Sequence, residues 1–328
     1  SVKSIGKGVF KDCGSLCRVK LSNNADSIKE ESFSGCKSLA SITLPNSISY
    51  IEHKAFKGCA SLTYVTIGKN ITSIEEEAFG ECDSLSEITI PESEKSIEAY
   101  AFNGCDSLSE ITLPAGLKTI KEGAFDKCKS LVNVFYKGTT DTWCDIEFYD
   151  YLSNPLCYAN NLYIDGKVVT EANITTAARI SRFAFKGYGK LIKLTVGDSV
   201  TNIEGYAFNG CGLLKSVTIG DSVMRIRSYA FKDCRSLKSV TIGNSVYSIG
   251  DHVFENCGSL LNIVIPDSVE IIDDGAFKGC DLLTSITVGK GLTKIRNNIF
   301  GGSDLITNII VGNGVTDIEA YAFIDCRS

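Results

Sequence analysis

The residues of this chain best equipped for chemistry are its cysteines. Eleven of the fourteen occupy one recurring slot: Cys13, Cys36, Cys59, Cys82, Cys105, Cys128, Cys211, Cys234, Cys257, Cys280 and Cys326. Such a series of thiols could cross-link or hold a row of metal ions. A disulfide, however, needs Cβ atoms about 3.8 Å apart and turned toward each other, whereas equivalent positions of stacked repeats lie one strand spacing apart with parallel Cβ vectors. Tyr188 and Ser303 stand in the same slot, so it also accepts residues that can form no cross-link. The slot therefore reads as a small buried apolar position. Cys17, Cys144 and Cys157 lie outside it, and the last two could bridge each other.

The remaining candidates for chemistry do not assemble. His53 and His252 are separated by several repeats and cannot share a metal or a triad; both read as exposed loop histidines. Cys144, between Trp143 and Asp145, would need a nearby base to act as a nucleophile, and the sequence places none there. No G-x-S-x-G, H-E-x-x-H, P-loop or paired-carboxylate arrangement is present. No catalytic, cofactor-binding or metal-binding residue is expected, and no cofactor.

The element that carries the cysteines is a unit of fixed length. The stretch "SIEAYAFNGCDSLSEITLP" at residues 96–114 recurs upstream as "SIEEEAFGECDSLSEITIP" and "YIEHKAFKGCASLTYVTIG". Anchor phenylalanines fall 23 residues apart at Phe10, Phe33, Phe56, Phe79, Phe102 and Phe125, and again at Phe185, Phe208, Phe231, Phe254, Phe277, Phe300 and Phe323. A fixed period of this size marks a solenoid, in which each unit buries its apolar face only against its neighbours. Within a unit, Ile42 and Leu44 face inward and Thr43 outward, as in a short strand. Pro45 or a glycine stops it, Ile48 and Ile51 return to the interior, and the "KAF" segment predicts a short helical or 3₁₀ turn before Leu62 opens the next unit.

The spacing L-x-x-I-x-L (Leu39, Ile42, Leu44) matches the leucine-rich repeat pattern. It departs at Ser47, with Ile48 directly after it, where Asn or Cys followed by a spacer and Leu is usual. That variant, with Ile, Ala, Phe, Cys and Leu recurring together, resembles the BspA-like leucine-rich repeat family of bacterial and trichomonad surface proteins. The fold class expected is a repeat solenoid, a leucine-rich-repeat-like right-handed coil with a parallel β-sheet on the concave face and short helical or 3₁₀ turns opposite, interrupted by one non-repeat insertion. The resemblance implies a cell-surface or secreted interaction module, with an extracellular protein or glycan as partner, and carries no catalytic motif. A structural stalk within a longer surface polypeptide is the alternative.

Composition narrows the partners. The net charge of -6 and pI near 5.2 offer no basic footprint for nucleic acid. No run of 18 or more apolar residues exists, so no membrane insertion is expected in this segment. The start at "SVKSIG" lacks the charged and apolar regions of a signal peptide and falls inside a repeat, which reads as a piece of something longer. Many free thiols ordinarily point to a reducing compartment; the surface of an anaerobe reconciles them with the extracellular localisation the resemblance implies.

The period breaks between Phe125 and Phe185. The expected organisation is a first solenoid half at 1–134, an insertion at 135–172 and a second half at 173–328. "LYIDGKVV" predicts a β-hairpin turning at Asp165-Gly166, whose residues supply the positive φ angles of a type I′ turn. "TDTW" predicts a short helix capped by Thr140 or Asp141. Eight aromatic residues crowd 135–163, among them Phe135, Trp143 and Tyr163; exposed they could bind sugar or protein, and buried they form a small satellite core. The next unit looks degenerate, with Asn173 where an inward Ile is expected.

If inward residues and turns are committed to packing, variation in function must lie on the outward sheet row. Thr66, Thr89 and Thr112 form its regular part. Tyr64, Glu87, Glu110, Phe135 and Lys193 carry the richest chemistry beside it and are the candidate binding face.

Overall fold

The computed structural model describes Lys3 and residues 5–328. It divides into two compact units: residues up to Thr142 with Ile146–Val168, and Trp143–Asp145 with Val169–Ser328. In the first unit each coil contributes two strands. The wider series, Ser41–Thr43, Tyr64–Thr66, Glu87–Thr89, Glu110–Leu113, Asn133–Tyr136 and Asn161–Ile164, pairs in parallel. Lys167–Val168 then joins antiparallel as a hairpin, with positive φ at Asp165 (50°) and Gly166 (69°). The narrower series runs from Ser27–Ile28 to Glu147–Phe148 as a second parallel sheet of 6 strands.

The second unit repeats the plan. Its wide strands form a sheet of 4, from Glu171–Ile174 to Ser239–Thr241, and a sheet of 3, from Asn262–Ile265 to Asn308–Ile310. Asn173 pairs with Thr195 on the outward row and is exposed, while Ala172 and Ile174 point inward. The expected inward Asn173 is therefore corrected by one residue, and Ala172 fills the core position.

Alternation explains the wide strands. Ile42, Leu44, Ile88, Ile90, Ile111 and Leu113 are all buried, and the residues between them face out. Inside each coil the anchor phenylalanines stack on the next at 5.2–5.6 Å between ring centres, as in Phe33–Phe56 (5.3 Å) and Phe208–Phe231 (5.2 Å). The cysteine slot lies beside this stack and is more than a small hydrophobe. From Cys36 onward, each slot thiol donates to the phenylalanine carbonyl of the preceding coil, as in Cys59 Sγ to Phe33 O (3.1 Å) and Cys211 Sγ to Phe185 O (3.1 Å). Ser303, in the same slot, keeps the bond to Phe277 O, and the Tyr188 hydroxyl donates to Val169 O at 2.8 Å. None of the fourteen cysteines, all among the described residues, forms a disulfide.

The segments opposite the wide sheet are turns; the expected short helical or 3₁₀ stretches are absent from the "AF" segments among the described residues. The reason is backbone accounting. In one coil Lys54 and Gly58 have positive φ (57° and 70°), and these left-handed residues interrupt any helical run. N–H groups then alternate. Those of Lys54, Phe56 and Gly58 donate to Glu76 O, Ala78 O and Gly80 O of the next coil at 2.8–3.0 Å, while those of Ala55, Lys57 and Cys59 close local turns. The glycine of "AFKGC" is thus a left-handed position in a third inter-coil ladder.

Charged pairs follow the same period on the surface, as in Lys29–Glu52 (2.7 Å) and Arg296–Asp273 (2.9 Å). A single α-helix occurs among the described residues, Thr140–Cys144. Its cap is Thr139, correcting the expected Thr140 or Asp141: Thr139 Oγ1 accepts from Thr142 N at 3.2 Å, and Thr142 Oγ1 accepts from Thr139 N at 2.9 Å. The crowded aromatics divide, with Tyr136, Trp143 and Phe148 buried and Tyr149 and Tyr151 about half exposed. Trp143 Nε1 donates to Ala184 O at 2.8 Å.

Candidate functional site

Parallel pairing places equivalent residues of successive coils side by side, so the outward rows of the first unit can be read directly. One row runs Ser41, Tyr64, Glu87, Glu110, Asn133, Asn161. The other runs Thr66, then Thr89, Thr112, Phe135 and Tyr163. Tyr64 is 49% exposed, enough to offer a ring face and hydroxyl to a partner.

Glu87 sits directly opposite Glu110 on neighbouring strands, and like charges in that relation repel. Glu110 is partly compensated, because Asn133 Nδ2 donates to its Oε1 at 2.8 Å; Asn161 Nδ2 in turn donates to Asn133 Oδ1 at 2.9 Å. Glu87 remains exposed beside Tyr64. Phe135 is covered on one face by Tyr163, with ring centres 4.8 Å apart. Asn133 and Asn161 belong to the same surface and were not singled out from the sequence, although continuing the outward register would have reached them; Tyr163, one of the crowded aromatics, joins them there.

A cleft of about 380 Å³ opens on this face, lined by Tyr64, Thr66, Ile67, Glu87, Thr89 and Glu92 among others. Lys137 Nζ lies 3.3 Å from Glu92 Oε1 at its margin. The structure therefore brings Tyr64, Thr66, Glu87, Thr89, Glu110, Thr112 and Phe135 onto one sheet. Lys193 belongs to the second unit, exposed on strand Lys193–Val196 between Glu171 and Ser216.

The other chemical candidates have structural surroundings. Cys144 is buried, and burial pushes the Cys157 thiol up to about 12. His53 and His252 are half-buried, not exposed as the sequence suggested. His252 stacks on Tyr229 at 5.3 Å, with its Nδ1 3.2 Å from Glu255 Oε2. Among the described residues no three His, Cys, Asp or Glu side chains gather in a metal-binding group, and no helix is long and apolar enough to cross a membrane.

Comparison with known proteins agrees with this architecture. The family model described as the BspA type leucine rich repeat region (6 copies) matches residues 3–132, 160–282 and 206–328. A leucine-rich repeat protein of Bacteroides ovatus is 24% identical, with a TM-score of 0.54 over 93% of this chain and 86% of that one. One from Eubacterium ventriosum is 21% identical, with a TM-score of 0.59 over 93% and 81%. The pneumococcal vaccine antigen PcpA is 18% identical, with a TM-score of 0.55 over 91% and 75%. At these identities the likeness is one of fold. No curated protein matches the chain.

Proposed function

Because the chain belongs to the BspA-type leucine-rich repeat family, we propose that it is a non-enzymatic interaction module, displayed outside the cell, that binds a protein through the outward face of the first unit's wide sheet. The observation that carries this reading is the row Tyr64–Glu87–Glu110, three large or charged side chains held side by side by strand pairing. Two neighbouring carboxylates, only one of them met by an amide hydrogen bond, favour a partner that brings lysine or arginine to them, which makes a basic protein surface a better fit than a neutral glycan. Lys193, opposite Glu171 on the outward side of the second unit's sheet, is not part of this row.

The test is a pull-down against extracellular proteins followed by variants of the captured pair. Tyr64→Ala combined with Glu87→Lys and Glu110→Lys is expected to weaken binding by about tenfold or more with the fold retained. Glu76→Lys, on an exposed turn position away from this face, is the control and should change little. Loss of binding in the control with retention in the sheet variant would refute the assignment. Failure to capture any extracellular protein or glycan would favour a stalk that spaces other domains.

A further inference from the structure

One coil of the first unit breaks its own rules. In the regular coils around it the inward position after the wide strand is apolar and buried: Ala25, Ile48, Ile71 and Leu117 in this unit, Val200, Val223, Val246 and Val269 in the other. At residue 94 it is a glutamate, 1% exposed. Its Oε1 accepts from the N–H groups of Lys95 (2.9 Å) and Ser96 (3.1 Å). Its Oε2 is buried and makes no hydrogen bond of good geometry.

The Lys95 bond is diagnostic, because that N–H has a regular use. In neighbouring coils the equivalent donor ties one coil to the one before it: Ser49 N to Asp26 O (2.9 Å), Thr72 N to Ser49 O (2.9 Å), Lys118 N to Lys95 O (2.8 Å). At Lys95 the carboxylate intercepts the donor, and the tie to Thr72 O is not made. Both sheets register the loss at this same interface. The narrow strands Ser73–Ile74 and Ser96–Ile97 pair only at Ile74↔Ile97, where the adjacent interfaces pair two residues. The wide strands Tyr64–Thr66 and Glu87–Thr89 pair only at Tyr64↔Glu87, where the adjacent interfaces pair three. Ile67, the inward residue ending the first of these strands, is half-exposed, although its equivalents Leu44, Ile90 and Leu113 are buried. The cleft lined by Tyr64, Thr66, Ile67, Glu87, Thr89 and Glu92 lies at this interface.

We infer that Glu94 is a positioning residue for the binding face: it acts as a wedge between two coils, and the cleft beside Tyr64 and Glu87 exists because Glu94 takes the N–H group that would otherwise close the interface. A buried carboxylate with one unmet oxygen is costly at a core position, and within the first unit, whose other interfaces keep their full pairing, a residue that loosens this one fits a site better than a scaffold. The role of the cleft in binding rests on the function proposed above. The existence of the wedge does not.

Amide hydrogen exchange on the whole chain tests it without any partner. Glu94→Leu restores the ladder residue found at Leu117, so the Lys95 and Ser96 amides should exchange about tenfold or more slowly, with added protection at Ile67 and Thr89. Glu94→Gln keeps an acceptor oxygen at the same place and should restore the wild-type pattern. The converse variant, Leu117→Glu, should speed exchange at Lys118 and Thr119 and loosen the next interface. A folded Glu94→Leu protein with unchanged exchange would overturn the inference. Should that variant fail to fold, unchanged exchange at Lys118 and Thr119 in folded Leu117→Glu would overturn it equally. Slowed exchange in Glu94→Leu together with undiminished partner binding would keep the wedge and refute its link to the binding face.

Discussion

Replacing Phe231 by alanine measures how a stack of coils shares its stability. Phe231 has no exposed surface and lies between Phe208 and Phe254, with ring centres at 5.2 and 5.4 Å. Deleting a fully buried phenylalanine side chain costs about 3–5 kcal/mol through lost transfer energy and the cavity left behind. Two stacking partners, each worth about 0.5–1.5 kcal/mol beyond burial, put this site at the upper end, about 5 kcal/mol. Phe10 supplies the comparison: it is half-buried and stacks on Phe33 at 5.2 Å, at the start of the series. With one partner and partial burial, Phe10→Ala should cost about 2 kcal/mol. Urea unfolding followed by intrinsic fluorescence and by amide exchange measures both. Because each coil touches only its neighbours, added exchange in Phe231→Ala should begin in the coils of Phe208 and Phe254 and decline with distance. Equal costs for the two substitutions, or exchange raised uniformly along the second unit, would refute the nearest-neighbour account.

Further outcomes follow from single features. A thiol reagent should reach Cys13 and Cys17 in the native protein, more slowly Cys157 and Cys326, and the other ten only after unfolding; burial raises Cys36 to about 11 and Cys59 to about 12, so working at pH 9 should not change that order. Burial also raises the Glu94 carboxyl above its ordinary 4.5, against the N–H groups of Ser96, Lys95 and Ile74 and with the charge of Glu98 adding to the rise. A folded-state value above the unfolded one means stability is gained as pH falls from neutral through the folded value and is complete below the unfolded one. Wild type should therefore gain on Glu94→Gln as pH falls from 7 toward about 4.5 in paired melts, and a constant difference would contradict this. Cys234→Ser, which can keep the bond to Phe208 O as Ser303 does in its own coil, should destabilise less than Cys234→Val, which cannot; the reverse order in urea melts would return the slot to a purely apolar role.

The period alone exposes the interior, because phenylalanine, cysteine, leucine and the inward isoleucines must meet their own equivalents in the next coil. It also aligns Tyr64 with Glu87 and Glu110, since a residue 23 positions on is the neighbour across a parallel pair. Hydrogen bonds without a residue signature were harder to read. Left-handed positions such as Lys54, Glu77 and Tyr100 carry no glycine to announce them, so the "AF" segments suggested helix. The thiol-to-carbonyl bonds were hidden because a buried cysteine is equally explained by size. Asn173 was misplaced because "EANI" has only one large aliphatic residue to set its register, and small Ala172 holds the inward place. Glu94 was visible in "PESEKSI" as an acid at an apolar position, but reading it required the hydrogen bond it displaces.

These particulars share one constraint. Every backbone N–H of a solenoid coil must be satisfied within the coil, by the next coil or by water, and here the wide strands, the narrow strands and the "AF" turns each supply inter-coil bonds. A substitution on the outward rows leaves all three ladders intact, so Tyr64, Glu87 and Glu110 can differ from one coil to the next at little cost to the fold. A substitution that diverts one N–H changes the spacing of a whole interface, because the coils on either side are closed loops that must tilt as units. Surface chemistry and cleft shape are therefore set by different residues. Glu87 and Glu110 supply the charge, while Glu94, buried and out of reach of any partner, sets how far apart their strands and that of Tyr64 can stand.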